Sequence, residues 1–221
     1  LACRPYLLFN DRLKTIVFLE VLMKVFGICG SPRAGGTDYA VNYTLSLLKE
    51  KGCETRYFSV RGKDIRFCLH CDYCIREKKG CIHKDALAEF YEGMIWADGV
   101  VIGTPCYQGT LSGQTKTLMD RCRAILAKDP LILKGKVGMG LAVGGDRNGG
   151  QEIALQMIQN FYVINEMYPC GGGSFGANLG GTLWSHDKGK DGIAADEDGL
   201  RTVRKTTKRF YDMMQKVRSD T

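Results

Sequence analysis

Several features that would send this chain toward nucleic acid or a membrane are missing. The formal net charge is +7, yet no Lys/Arg block exceeds a few residues and no aromatics interleave with one, which argues against a nucleic-acid groove. The best apolar run near the amino end, Ile16 to Met23, is interrupted by Glu20. It falls well short of the roughly 20 apolar residues a spanning helix needs. Nor does the start show a basic-then-apolar signal ending in a small-residue cleavage site. The expectation is a cytoplasmic protein with neither a membrane nor a nucleic-acid partner. No acid–base constellation stands out, so no catalytic residue is assigned. What the composition does allow is a core: 221 residues, 44% hydrophobic, suffice for one domain with nothing to suggest disorder.

The densest chemistry lies in Cys68-Leu69-His70-Cys71-Asp72-Tyr73-Cys74, closed by Cys81. Four thiols in fourteen residues, spaced C-x2-C-x2-C-x6-C, can meet without help from distant parts of the fold, and that crowding suits one [4Fe-4S] cluster. A structural zinc site usually sets two C-x2-C pairs well apart, so that its ligands come from two loops. Disulfides would require an oxidising compartment and usually a smaller scaffold poor in core residues. Two-cluster ferredoxins place Pro after the fourth Cys and repeat the run, whereas Ile82 follows Cys81 here. Cys68, Cys71, Cys74 and Cys81 are therefore the expected metal ligands, with His70 and His83 as solvated flanking imidazoles.

Around this run the chain alternates strands and helices. Lys24 to Cys29 is an apolar strand that enters Gly30-Ser31-Pro32-Arg33-Ala34-Gly35-Gly36-Thr37, after which Val41, Leu45 and Leu48 recur at helical spacing. This turn is neither G-x-G-x-x-G nor a Walker loop. Its unpaired N–H groups at a helix start suit a phosphate; an ordinary helix capped by Thr37 or Ser31 is the other reading. A second strand is expected at Thr55 to Val60 and a helix from Asp85 to Trp96. A third strand, Val100 to Ile102, should run into a loop from Gly103 to Thr110, followed by a helix carrying Leu118, Cys122 and Ile125. A fourth, Val137 to Val143, leads into Gly144-Gly145-Asp146-Arg147-Asn148-Gly149-Gly150-Gln151 and a helix through Ile164. A short fifth strand near Met167 to Cys170 precedes a glycine-rich stretch, Gly171 to Gly192, expected to be a lid or an assembly segment. Asp196, Glu197 and Asp198 then open a closing amphipathic helix.

Five strands alternating with helices predict an α/β fold, a flavodoxin-like doubly wound five-stranded parallel sheet of order 2-1-3-4-5 with an inserted compact cysteine loop. Ligands of such sheets sit at the carboxyl ends of the strands, at the switch between the first and third. Met23-Lys24-Val25-Phe26-Gly27 reads like a conventional start. Residues 1–22 are thus expected to be an N-terminal extension, and 23–221 one domain with its cluster loop at 65–83.

Gly30-Ser31-Pro32-Arg33, the cysteine run, Pro105-Cys106-Tyr107-Gln108-Gly109 and Val143 through Glu152 together resemble the iron-sulfur flavoproteins of anaerobic archaea and bacteria, themselves similar to flavodoxin-like FMN reductases. The resemblance implies an FMN phosphate held by Ser31, Arg33, Thr37 and Asp38, the last through its backbone. It places the isoalloxazine against Pro105, Tyr107, Gln108 and Gly109, with Gly145, Asp146 and Gly149 closing the other edge. Thr37 stands where relatives often have Asn, and the last two cysteines are spaced slightly wider than is common. A cluster with four thiolates and a flavin phosphate would each add about −2, leaving roughly +3. The resemblance further implies electron transfer from a ferredoxin-type donor through the cluster to FMN, and on to an acceptor such as O2 or H2O2, in a homodimer or homotetramer. An NAD(P)H-dependent FMN or quinone reductase with a structural metal loop is one alternative; a non-catalytic redox sensor is another.

Overall fold

The computed structural model describes residues 22–220. The expected extension lies outside the described residues except for Leu22. The elements, in chain order, are β1 (Lys24–Cys29), α1 (Gly36–Glu50), β2 (Glu54–Ser59), α2 (Tyr73–Glu77), α3 (Ala88–Trp96), β3 (Gly99–Tyr107), β4 (Thr110–Leu111), α4 (Gly113–Arg121), α5 (Arg123–Leu126), β5 (Val137–Gly144), α6 (Gln151–Ile164), β6 (Tyr168–Cys170), β7 (Gly181–Trp184), α7 (Gly189–Ala195) and α8 (Glu197–Ser219). The sheet runs β2-β1-β3-β5-β6, all parallel, as the order 2-1-3-4-5 requires.

Alternation along each strand divides the core into two layers. In β1, Phe26 and Ile28 face a cluster with Phe90 and Met94 of α3, Leu118 of α4 and Ile158 of α6. Val25 and Cys29 face the other side, with Val41 and Leu45 of α1 and Val203 and Phe210 of α8. Strands apolar on both faces are what a sheet covered by helices on both sides demands. Among the described residues no helix is long and apolar enough to cross a membrane.

The structure corrects four boundaries. Gly103 to Tyr107 is strand rather than loop: β3 pairs with β5 as far as Pro105↔Val143, then turns back antiparallel through Cys106↔Leu111 and Tyr107↔Thr110. Gln108 and Gly109 form the two-residue turn, both at positive φ (51° and 79°), as the hairpin's twist prefers. The helix expected through Ile125 breaks at Cys122 into α4 and α5. The helix expected from Asp85 begins at Ala88; the Asp85 carboxylate is held in a buried ion pair with Arg121. Finally, the fifth sheet position holds two strands: β6 pairs with Val137 to Met139 of β5, and β7 with Leu141 to Gly144. The excursion between them departs through Gly171 to Gly180 and returns to the same edge.

Candidate functional site

Three loops leave the carboxyl edge of the sheet and enclose a cleft of about 420 Å³, lined by Ser31, Arg33, Thr37, Pro105, Tyr107 and Gly145 among the expected residues. The first loop follows β1. Ser31, 4% exposed, accepts the Arg33 N–H at 3.2 Å and donates to the Arg33 carbonyl at 3.1 Å, which fixes a tight turn. No side chain caps α1 at Gly35, so its first-turn N–H groups are open to an anion. Arg33 is exposed at the rim, where a guanidinium can meet a phosphate.

The second loop is the β3–β4 hairpin, and a buried hydroxyl network seats it. Thr115 donates to Thr104 Oγ1 at 2.9 Å, Ser112 N–H donates to the same oxygen at 3.1 Å, and Ser112 Oγ donates to the Gly30 carbonyl at 2.8 Å. Ser112 also caps α4, accepting from Thr115 N–H at 3.2 Å. Cys106 lies on the cleft wall with its thiol pushed up to about 11 by burial; at neutral pH it is a protonated, apolar surface rather than a nucleophile. The third loop follows β5. It touches the hairpin so closely that a Cβ at Gly150, whose φ is +98°, would strike the Gly109 carbonyl.

Asp38, Gln108, Gly109, Asp146 and Gly149 do not line the cleft. The Asp38 carboxylate accepts instead from the Tyr57 hydroxyl on neighbouring β2. Gln108 and Gly109 form the exposed hairpin tip, and the Gly149 N–H is taken by Gln151 Oε1 at 2.8 Å. The Asp146 carbonyl accepts from Gln151 Nε2 at 2.6 Å. These contacts make the last two residues framework for Gly144 and Gly145, which do face the cleft.

The cysteine run lies elsewhere, between β2 and α3. Positive φ at His70 (51°) and Asp72 (58°) folds it back on itself, and the His70 N–H donates to Cys68 Sγ at 3.4 Å. The short α2 carries Cys74, and Arg76 holds the Cys71 carbonyl at 3.0 Å. Cys71 is exposed; Cys68, Cys74 and Cys81 are half-buried, and none of the four is in a disulfide. Among the described residues no three His, Cys, Asp or Glu side chains stand in an arrangement that could hold a metal ion. The surroundings nonetheless fit an electron-rich group: the Tyr91 hydroxyl, facing the Arg121 guanidinium, is buried with no acceptor for its proton.

Comparison with known proteins places both regions in context. Residues 23–181 match the model of the NADPH-dependent FMN reductase family. An iron-sulfur flavoprotein of Methanocaldococcus jannaschii is 68% identical over 196 residues, 89% of this chain and 99% of the relative. The chain belongs to the iron-sulfur flavoprotein family. Other iron-sulfur flavoproteins extend the likeness: one from Archaeoglobus fulgidus is 50% identical, covering 87% of this chain and 98% of its own. Another, from Methanosarcina thermophila, is 35% identical over 90% of this chain and 98% of its own. Solved structures share the flavodoxin-like fold. RosB, solved with a bound flavin phosphate intermediate, superposes with a TM-score of 0.67 at 17% identity, covering 89% of this chain and 81% of RosB. A WrbA-like flavodoxin from Agrobacterium tumefaciens gives 0.59 at 15% identity, covering 90% and 99%.

Within this iron-sulfur flavoprotein, sequence reasoning missed one wall of the cleft. Ser185, Asp187 and Gly189 line it beside Gly144 and Gly145. They are held there because β7 carries them back along β5: Ser185 N–H donates to the Gly144 carbonyl at 2.9 Å, and Trp184 Nε1 to the Gly145 carbonyl at 2.6 Å. Trp184 stacks on His186 at 3.4 Å between centroids. Buried Asp196 locks the segment by accepting from the Trp184 N–H at 2.7 Å and pairing with Arg147. The available signal was Gly181-Thr182-Leu183-Trp184, a four-residue alternation in which only Gly181 and Leu183 are buried.

Proposed function

We propose that this chain is an electron-transfer flavoprotein that binds FMN in the sheet-edge cleft and one [4Fe-4S] cluster in the cysteine loop. The observation that carries the reading is the pairing, in one chain, of an uncapped helix N-terminus at a flavodoxin-like switch point with a compact four-thiol run. Bound FMN exchanges one or two electrons and a cluster one, so together they convert between single-electron carriers and two-electron chemistry. Ser31, Arg33, Thr37 and the first-turn amides of α1 bind the phosphate; Pro105, Tyr107 and Gly145 contact the ring, with Ser185 and Asp187 at its far edge. Asp38, Gln108, Gly109, Asp146 and Gly149 support these walls. Cys68, Cys71, Cys74 and Cys81 ligate the cluster. The donor is of ferredoxin type, and the electrons pass on to an acceptor such as O2 or H2O2.

The apolar side chains exposed beside the cysteines, Phe67 at 69%, Leu69 at 56% and Ile82 at 47%, favour a second copy of the chain over the cluster loop, as a homodimer or a dimer of dimers. Residues 23–221 form the functional domain, since every proposed ligand lies after Met23. The deciding experiment is anaerobic purification with iron, sulfide and flavin analysis, followed by reduction with ferredoxin or NADPH. About four iron and four sulfide with one FMN per chain, and flavin reduction by ferredoxin, are expected. Stoichiometric zinc with flavin reduction by NADPH alone would replace this reading with an FMN reductase whose metal loop is structural.

A further inference from the structure

Beneath the cysteine loop sits a buried charge pair that the flavin site does not use. Arg121, the last residue of α4, is 1% exposed. Its Nη1 donates to the Arg66 carbonyl at 2.5 Å and to Asp85 Oδ2 at 2.7 Å, and its Nη2 to Asp85 Oδ1 at 3.0 Å. Asp85 Oδ2 also accepts the Arg66 N–H at 3.1 Å, and the Ala86 N–H reaches the Asp64 carbonyl at 3.3 Å. Residues 64–66 enter the cysteine run and 85–86 leave it. One guanidinium and one carboxylate thus tie its two ends together, from a helix outside the loop. Arg123, two residues on, pairs with Asp72 between Cys71 and Cys74 at 2.6 Å.

Two donors are left over. Arg121 Nε–H and the Tyr91 hydroxyl are both buried; the guanidinium faces the Tyr91 oxygen, and neither group makes a hydrogen bond of good geometry with the described residues, so the Tyr91 proton in particular has no acceptor. They lie beside one another, with Cys81 in electrostatic reach of both. A purely structural ion pair does not account for them: a buried pair is at best about neutral against apolar packing, and buried donors without acceptors are costly. An acceptor-rich anion on the Cys81 side would satisfy both. Cluster sulfurs are such acceptors, and hydrogen bonds to them help set the cluster's potential.

We propose that Arg121 is a positioning residue for the cluster: it closes the stem of the cysteine loop through Asp85 and Arg66, and with Tyr91 it donates to the sulfurs on the Cys81 side. The inference rests on the four cysteines being cluster ligands. A positive charge and two donors there stabilise the more negative, reduced form, so they hold the cluster potential up. Because the same helix is capped by Ser112 under the flavin cleft, the residue that sets the cluster's position belongs to the element that seats the flavin loop.

The test uses the full chain purified anaerobically, reading iron per chain, the cluster midpoint by EPR-monitored titration, and the FMN midpoint as an internal reference. Tyr91→Phe deletes only the hydroxyl, and Arg121→Lys keeps the charge while losing the fork. Both are expected to load iron. Tyr91→Phe should weaken cluster reduction about threefold and Arg121→Lys about tenfold, falls of about 28 and 59 mV for one electron, with the FMN midpoint unmoved. If Arg121→Lys does not fold, the paired Asp85→Leu/Arg121→Met variant takes its place, with a fall at least as large expected. Wild-type cluster potentials in Tyr91→Phe and in the Arg121 variant overturn the proposal. Wild-type protein free of iron would instead overturn the ligand assignment beneath it.

Discussion

At the sheet-edge cleft each wall continues a parallel strand. The cysteine loop has no strand between Ser59 and Gly99 to lean on, and its one early helix, α2, is five residues long with left-handed residues at both ends. Thr104, Ser112 and Thr115 under the cleft are at most 1% exposed and bonded to one another, whereas Phe67 and Leu69 stand in solvent. The cleft is therefore shaped by the fold before any cofactor arrives. The loop is held by its stem and by whatever its thiols bind. Changes at the loop should remain local, and changes at the cleft floor should be felt by the sheet.

The largest effect that would sharpen this contrast is loss of the metal alone. Cys71→Ala should abolish the cluster while leaving FMN bound, and Cys106→Ala, on the cleft wall, should keep its iron. Equal iron loss in both variants would break the separation between the two sites. At the cleft, Arg33→Ala should weaken FMN binding by about 1.5 to 3 kcal/mol if the guanidinium makes a charged hydrogen bond to the phosphate. That is about ten- to 150-fold in affinity, measurable by flavin fluorescence, with iron content unchanged. Release of FAD rather than FMN on denaturation would contradict the single-phosphate cleft.

A smaller effect should appear with acid. Burial pushes the Asp85 carboxyl up, but hydrogen bonds from Arg121 and from the Arg66 and Leu87 N–H groups outweigh it and hold the pKa below the usual value. A depressed carboxyl contributes stability that is present above the unfolded value, about 3.9, and lost as pH falls through the folded one. Amide exchange in residues 64–86 of the iron-free protein should therefore accelerate below about pH 4, ahead of the β1 and β3 amides. Simultaneous loss of protection in both regions would show that the stem is not a separate unit.

The same contrast explains what was legible in the sequence. Apolar runs buried on both faces announce strands whatever surrounds them, so β1, β3, β5 and the sheet order could be read from residues alone. The four cysteines were legible as a spacing, because their chemistry is local. Arg121 was not: on sequence it is one more cation on an amphipathic helix, and only the tertiary approach of Asp85 buries it. The use of the Asp38 carboxylate was not legible, because Tyr57, whose hydroxyl it accepts, arrives from the neighbouring strand. β7 was missed because a four-residue strand that shares its sheet position with β6 has too short an alternation to rise above a glycine-rich background.

The smallest effect tests whether the two regions communicate through the one element they share. From its cap Ser112, α4 runs to Arg121, about 13 Å at 1.5 Å per residue, so its cap lies under the cleft and its last side chain under the cysteine loop. Ser112→Ala removes the cap and strips the Gly30 carbonyl of its donor, a loss of about 1 to 2 kcal/mol in stability. If α4 transmits position as a rigid rod, the cost of Ser112→Ala should differ between the wild-type and Arg121→Lys backgrounds by about 0.5 kcal/mol or more. Urea unfolding of the two single variants and the double variant measures that difference. Additive costs would mean that the cleft and the loop are anchored independently. A coupling confined to the iron-loaded protein would mean that the loop becomes part of the rigid fold only when its thiols are engaged.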